Sequence, residues 1–595
     1  MEETDRVTSR ESPYTPIDSG QGEIRLLEIE PGEYNDEIRI NLKWAKLSQN
    51  PTYTALSYVW GHVQSLRLCL LNGIHMSITE NLDCALRHFR NRTATSLLWA
   101  DALCINQADL DERAAQIRLM KELFERAQSI FAWLGQPSDN EKTELAVALL
   151  NRIEENYADN TDAADDTSQT GYGEHNMLLP GSVDSDTWQA WDGIAELFTS
   201  EYFTRLWIIQ EATTPTQIRF WSGEHSFGKD ALQQAVAIVD AHSINSVFPS
   251  KVTKACNAIS SVGQVTESRR ERENGRFDTL LRLLQDFRGS KCADPLDRVF
   301  AALGLAKDHS AADIIVDYRT NVTELYSRVA RTLIMDPDVS LTVLGAVVLP
   351  TDDSTHLEPP MPSWVPDWRQ ACMIPEISLS VNSRDLNDFL YSPYPGPVSA
   401  SFNGTQLSVK GIVEHEVDIR TMTEPWDEEF ESWRTIMSWY EQLKGQSDAS
   451  SGLATAICRS FVGDRSLNKY DEDEDLFHIQ RGGILDLESA KRDTRFLGLE
   501  TLQLLLVTHL ILASICYTRR MAILSNSRVA VLPAAARIGD KIAAFRGGHA
   551  LYLLRPLTTG QNEYSFIGEC YVDGWMDGEI VKEAGEERLE SITMV

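Results

Sequence analysis

Two short apolar runs, Tyr53-Thr-Ala-Leu-Ser-Tyr-Val-Trp-Gly61 and Leu97-Leu-Trp-Ala-Asp-Ala-Leu-Cys-Ile-Asn-Gln107, end in small or polar residues, and a helical pattern follows each. That alternation predicts the opening βαβα of an open α/β sheet. After the first run come a short strand, LRLCLLNG, and Thr79 as a helix N-cap, with Leu82, Ala85, Leu86 and Phe89 spaced along one helix face. After the second, Asp109 and Glu112 have the spacing of a capping box, and Ile117, Met120, Phe124 and Ala127 mark a buried face. A third strand is expected at 129–135, SIFAWLG. Ahead of all of these, EIRLLEIEPG and EIRINLKWA alternate around a Pro-Gly turn and predict a β-hairpin. Ligands of such sheets bind beyond the carboxyl ends of the strands. The candidates are therefore Ser57, Tyr58, Trp60 and Gly61 from one strand end, and Asp101, Asn106 and Gln107 from the other.

Farther along, the patterns change character. Residues 1–22 read as a disordered polar tail, and 23–225 as the α/β domain, interrupted at 158–187 by a mobile acidic insertion poor in large apolar residues. A helix face through Trp191, Ala195 and Phe198 precedes Tyr202-Phe-Thr-Arg-Leu-Trp-Ile-Ile-Gln-Glu211, and IRFWSG is a further strand. Residues 226–370 are helical in pattern, in KDALQQAVAIV, FDTLLRLLQDF and VTELYSRVARTLIM, with Asp294-Pro295 as a helix start having Pro at its first position. PSWVPDWR at 362–369 reads as a packed loop. From 371 to 595 the chain is α+β: strand-like at 400–420 and 529–582, helical at 428–442, with Asn403-Gly404 as a hairpin turn and a barrel-like or small-sheet core. Gly568, Gly574 and Gly578 suit turns between strands.

The 595 residues suffice for two to four domains with real cores. A net charge of −33 and the lack of any basic block exclude a nucleic-acid footprint, which needs clustered Lys and Arg. The acidic Tyr470-Asp-Glu-Asp-Glu-Asp475 is a solvated loop. Nine scattered Cys form no C-x-x-C pair, so neither a zinc site nor a disulfide framework is expected, and a reducing cytoplasm fits. The apolar run at 500–517 contains Gln503, Thr508 and His509 and is short for a crossing. It reads as a buried helix, with no membrane span expected.

Phosphate-loop, dinucleotide, zincin, nucleophile-elbow and kinase motifs are all absent, and the twelve His are dispersed, so no metal is expected. What the chain does carry is a resemblance. YTALSYVWG, ITENLDCALRHF, LLWADALCINQADLDERAAQIRLM and SIFAWLG, in that order, resemble the fungal heterokaryon-incompatibility (HET) domain. FTRLWIIQEA, DPLDRVFAALGL, PSWVPDWR, GDKIAAFRGGHALYLLRP and FIGECYVDGWMDGE resemble the remainder of its common long form. The resemblance implies a role in non-self recognition and fungal programmed cell death, with self-association or an incompatible allelic partner protein. It requires no cofactor.

The HET domain is in turn similar to TIR domains, with a TIR- or flavodoxin-like open sheet and flanking helices. In the TIR order a strand ends in a Ser-Tyr-like pair, a second ends in Asp, and after a third strand a helix carries Trp and, four residues on, Glu. Ser57, Tyr58, Asp101, Trp207 and Glu211 stand in that order. The likeness implies cleavage of the nicotinamide–ribose bond of NAD as substrate, with Glu211 as the catalytic carboxylate beside the ribose and Ser57, Tyr58, Trp60, Asp101 and Trp207 as binding residues. Trp60, Trp99 or Trp207 could face a cationic ring. Each position also has a plain structural use: Trp207 among Leu206, Ile208 and Ile209 as core, Glu211 as partner of Arg205, Asp101 as a cap, and Asp294, Asp297 and Arg298 as a helix start with a local ion pair. About seventy residues separate the third strand from Trp207, more than a compact TIR domain has. A non-enzymatic signalling module, or a regulator linked to secondary metabolism, are the competing expectations.

Overall fold

The computed structural model describes residues 12–61, 64–161, 185–212, 217–242, 248–256, 279–349, 359–370, 392–425, 465–469, 477–481, 519–558 and 562–595, with a few isolated positions between them. The core of the insertion expected at 158–187, most of the helix at 428–442, the acidic run 470–475 and the apolar run 500–517 lie outside these residues. Among the described residues, no helix is long and apolar enough to cross a membrane. The chain divides into two compact units: 1–311 with 315–320, and 312–314 with 321–595. The division runs through the stretch with helical patterning.

The first unit is built on a nine-stranded sheet. Its strands are β1 (Glu23–Ile29), β2 (Arg39–Lys46), β3 (Thr54–Tyr58), β4 (Leu66–Leu71), β5 (Ile74–Thr79), β6 (Ser96–Trp99), β7 (Ser129–Gly135), β8 (Ile218–Ser222) and β9 (His225–Gly228), in the order β5-β4-β2-β1-β6-β3-β7-β8-β9. β1 and β2 form the hairpin read from the alternation, in register from Glu23 opposite Lys46 to Ile29 opposite Ile40. β6, β3, β7 and β8 pair in parallel. In chain order these four run 2-1-3-4, the flavodoxin arrangement. β3 is buried along nearly its whole length, as a strand flanked on both sides must be.

Helix α1 (Glu80–Phe89) follows Thr79 as expected and buries Leu82, Ala85 and Leu86. Its end packs His88 and Phe89 against Phe131, Trp133 and Trp221. After the single turn α2 (Asp101–Cys104), α3 (Leu110–Arg126) buries Ile117, Met120, Leu123 and Phe124, and Phe124 meets Trp99 edge to face at 5.6 Å. Asp109 caps α3 as read, accepting from the N–H groups of Asp111 and Glu112. Glu112, however, does not complete a capping box. Its carboxylate takes a bidentate bond from Arg25 and the Asn106 N–H instead. Further helices are α4 (Asn140–Thr161), α5 (Ser185–Phe198), α6 (Ile208–Ala212), α7 (Lys229–His242), α8 (Leu280–Asp286) and α9 (Asp297–Leu303). The helix expected to have Pro295 at its first position begins two residues later, at Asp297. Asp294 instead closes a turn, its carboxylate accepting from Leu296 N and its carbonyl from Asp297 N.

In the second unit α10 (Val322–Met335) spans the residues read from the pattern, and Trp364 and Trp368 of the packed loop are wholly buried. The sheet comprises β10 (Ala400–Asn403), β11 (Gln406–Glu414), β12 (Ile419–Met422), β15 (Arg519–Leu524), β16 (Val529–Pro533), β17 (Lys541–Phe545), β18 (Leu551–Pro556), β19 (Glu563–Val572) and β20 (Glu590–Met594), with a separate hairpin of β13 (Arg465–Lys469) and β14 (Phe477–Arg481). β11 pairs β17, β17 pairs β18, β18 pairs β19, and β20 joins β19 back to β11. These five strands close a ring, so the barrel-like alternative is the one realised, while β16, β15 and β12 extend it as an open sheet. Asn403-Gly404 turns the β10–β11 hairpin. Gly568 sits inside β19 rather than in a turn. It lies at a bulge opposite Leu553 with φ 147°, and Pro533 would come within 2.9 Å of any Cβ there.

Candidate functional site

Beyond the carboxyl ends of β3 and β6, a cavity of about 320 Å³ opens in the first unit, at the lower end of the range that holds small ligands. The sequence-derived candidates Ser57, Tyr58, Trp60, Gly61, Asp101, Gln107, Trp207 and Glu211 all line it. Asn106 does not; its backbone is tied to Glu112 behind the wall. Gly61 has φ 78°, a left-handed turn that lets the chain leave the strand end directly after Trp60. α6 begins one residue after Trp207, so Trp207 and Glu211 share little more than one turn, and both face the cavity.

Glu211 is 2 % exposed and sits among donors. Ser57 Oγ donates to its Oε2, and Tyr202 OH lies 3.1 Å from the same oxygen and 2.7 Å from Ser57 Oγ. Arg205 Nη2 is 3.5 Å from Oε1. Burial opposes the charge on Arg205, but Glu211, Tyr202 and Asp101 face it and hold its pKa above the usual value. Burial, and then the Glu211 charge, keep the Tyr202 phenol protonated far beyond its ordinary range, so it remains a donor. The result is a carboxylate fixed in one orientation by three side chains.

On the other wall Trp60 Nε1 donates to Asp101 Oδ2 at 2.8 Å, and Ala102 N to Oδ1 at 2.8 Å. Burial raises the Asp101 carboxyl above the usual range, opposed by Arg205 and these donors. Burial and the Asp101 charge in turn push the Tyr58 phenol up. Asp101 thus caps the start of α2, as its position suggested, and also holds an indole at the cavity.

Several lining residues were not read from sequence as part of the site. Leu206 N donates to Lys291 O at 2.9 Å and Lys291 N to Thr204 O at 2.6 Å, which docks 291–297 against the Trp207 turn. Asp297 thereby reaches the cavity, where it accepts from Trp207 Nε1 at 3.2 Å and from Tyr318 OH. Arg113, on α3, lies 3.6 Å from Asp294, 3.7 Å from Asp297 and 3.6 Å over the Tyr318 ring. The expected local ion pair within Asp294, Asp297 and Arg298 is not formed. Arg298 donates to the carbonyls of Phe287 and Arg288. The DPLDR run was visible as a polar start to a helix, but nothing local reports a partner about ninety residues upstream.

Burial drives the Asp297 carboxyl up to about 6, with Tyr318, Arg113 and Trp207 pulling it down and Asp294 pushing it up. Because its folded pKa exceeds the ordinary value near 4, ionising it costs stability as pH rises from about 4 to 6. At most this is roughly 3 kcal/mol at 1.36 kcal/mol per unit. Asp297→Asn has no such titration. Wild type should therefore lose stability relative to the variant between pH 4.5 and 7.5, read as a growing gap in Tm; a gap that does not change with pH would refute the assignment.

Comparison with known proteins agrees with this layout. Residues 53–211 match the family model described as heterokaryon incompatibility protein (HET), and residues 489–590 match the Het-6 beta-barrel domain. The first match ends on Glu211 and stops well short of Asp297. Heterokaryon incompatibility protein 6, OR allele, of Neurospora crassa is 24 % identical over 655 residues, covering 95 % of each chain. No solved structure matches.

Proposed function

We propose that this chain, which carries a HET domain followed by a Het-6 barrel, acts in heterokaryon incompatibility, and that its α/β unit is the effector, hydrolysing the nicotinamide–ribose bond of NAD. The observation that carries the reading is the placement of Glu211: an oriented carboxylate on the wall of a ligand-sized cavity at the carboxyl ends of parallel strands, with three indoles in the lining. In the reaction the C1′–N bond breaks and its electron pair passes to the pyridinium nitrogen. Nicotinamide leaves neutral, and water adds to the ribosyl cation with loss of a proton. The leaving group needs no acid, so the main demand on the protein is to stabilise positive charge at the ribose, which a fixed carboxylate does. Cell death would follow from depletion of the cofactor pool.

A second reading is favoured by one specific feature. Glu211 is already engaged by Ser57, Tyr202 and Arg205, as a purely structural residue would be. In that case the unit is a signalling module that self-associates or binds an allelic partner protein. Release of nicotinamide from NAD by the purified full chain separates the two: turnover supports the hydrolase, and its absence at high protein concentration supports partner binding.

A further inference from the structure

Three indoles line the cavity: Trp99 is buried and its N–H has no partner, while the other two are treated alike. Trp60 spends its N–H on Asp101 and Trp207 spends its own on Asp297. Neither indole N–H is left for a ligand, so what each ring can offer is its face. An indole whose N–H donates to a carboxylate has that negative charge in its own plane. This deepens the negative potential over the ring and favours a cation there, while a neutral ring gains little. The guanidiniums on the wall offset part of this charge, Arg205 facing Glu211 and Asp101 and Arg113 facing Asp294 and Asp297, but the lining carboxylates Asp101, Glu211, Asp294 and Asp297 still outnumber the lining cations Arg113, Arg205 and Lys291. Trp60 is 45 % exposed, so part of its ring is accessible.

We propose that these carboxylate-tethered indoles make the cavity a receptor for a planar organic cation of the pyridinium type, and that Asp297 is one of its selectivity residues. The inference rests on the reading of this cavity as the functional site, but it concerns charge recognition rather than turnover. It also places part of the specificity outside residues 53–211, on a segment held by the Thr204–Lys291 and Leu206–Lys291 backbone bonds. Asp297 acts through Trp207 and is a positioning residue. A cavity of this kind should discriminate between the oxidised, cationic ring of a nicotinamide and its neutral forms.

The test measures binding in the full chain carrying Glu211→Gln, which removes turnover. 1-Methylnicotinamide, a cation, and nicotinamide, its neutral counterpart, are titrated calorimetrically at pH 7.5. The cation should bind about tenfold tighter, equivalent to ~1.4 kcal/mol. Asp297→Asn should reduce that ratio to about threefold, and the pair Asp297→Asn with Asp101→Asn should bring it near one. Equal affinities before any change at Asp101 or Asp297, or a ratio unmoved by both substitutions, would overturn the proposal. The two readings fail separately: charge selectivity without hydrolysis in the wild type would defeat only the hydrolase, and hydrolysis without selectivity only the cradle.

Discussion

Glu211→Gln is expected to lower NAD hydrolysis by about 10³-fold or more while leaving the cavity in place. A charge facing a developing ribosyl cation inside a water-poor site is worth about 4 kcal/mol, and each 1.36 kcal/mol is a factor of ten in rate. Glutamine is nearly isosteric, and its amide oxygen can still accept from Ser57 and Tyr202, so the loss would report charge rather than shape. Arg205, however, would keep only Asp101 among the acids that face it, and a buried cation that loses its ion-pair partner is costly. The double change Glu211→Gln with Arg205→Met controls for this: it should recover stability without recovering activity. Ser57→Ala removes one of the three groups that orient the carboxylate, and its smaller rate loss, about tenfold, should leave the KM for NAD little changed. Full activity in a well-folded Glu211→Gln chain would remove Glu211 from the mechanism and favour the signalling module.

How far the site could be read in advance follows from the range of each signal. β3, β6, β7 and α3 were legible because their apolar periods are local, and the carboxyl-end rule then put Ser57, Tyr58, Trp60 and Asp101 in one place. Trp207 and Glu211 entered through a family order rather than periodicity. Of their environment, Arg205 was read as the partner of Glu211 and lies 3.5 Å from it, whereas Tyr202, nine residues before Glu211, reads as ordinary core. Asp297 and Tyr318 were out of reach: they arrive through backbone pairing of Lys291 with Thr204 and Leu206, a contact with no periodic signature. Closure of the barrel was equally hidden, since alternation predicts strands but not that β20 will join β19 to β11. Gly568 was misplaced because a bulge and a turn make the same demand on φ.

Arg25→Met should be the most damaging single change to the fold of the first unit, costing about 3–5 kcal/mol, on the order of 10 °C in Tm. Arg25 is 2 % exposed. Its Nη1 donates to Glu112 Oε1 at 2.5 Å and Cys104 O at 3.0 Å, and its Nη2 to Glu112 Oε2 at 2.9 Å and Thr15 O at 2.6 Å. Methionine keeps the packed stem and strands the Glu112 carboxylate, whose side chain is only 8 % exposed. Most of the cost is that stranded charge, not the worth of the pair. Arg25→Met with Glu112→Leu should therefore regain most of the loss, whereas a second, unrelated destabilisation would add to it. The pair also reaches the cavity, because Cys104 O and Asn106 N, which it holds, flank Ile105 and bring Gln107 onto the wall. A double variant that is stable again but binds the pyridinium cation more weakly would show that the buried pair shapes this loop. If the single variant melts within 1–2 °C of wild type, the bidentate pair is not the support proposed here.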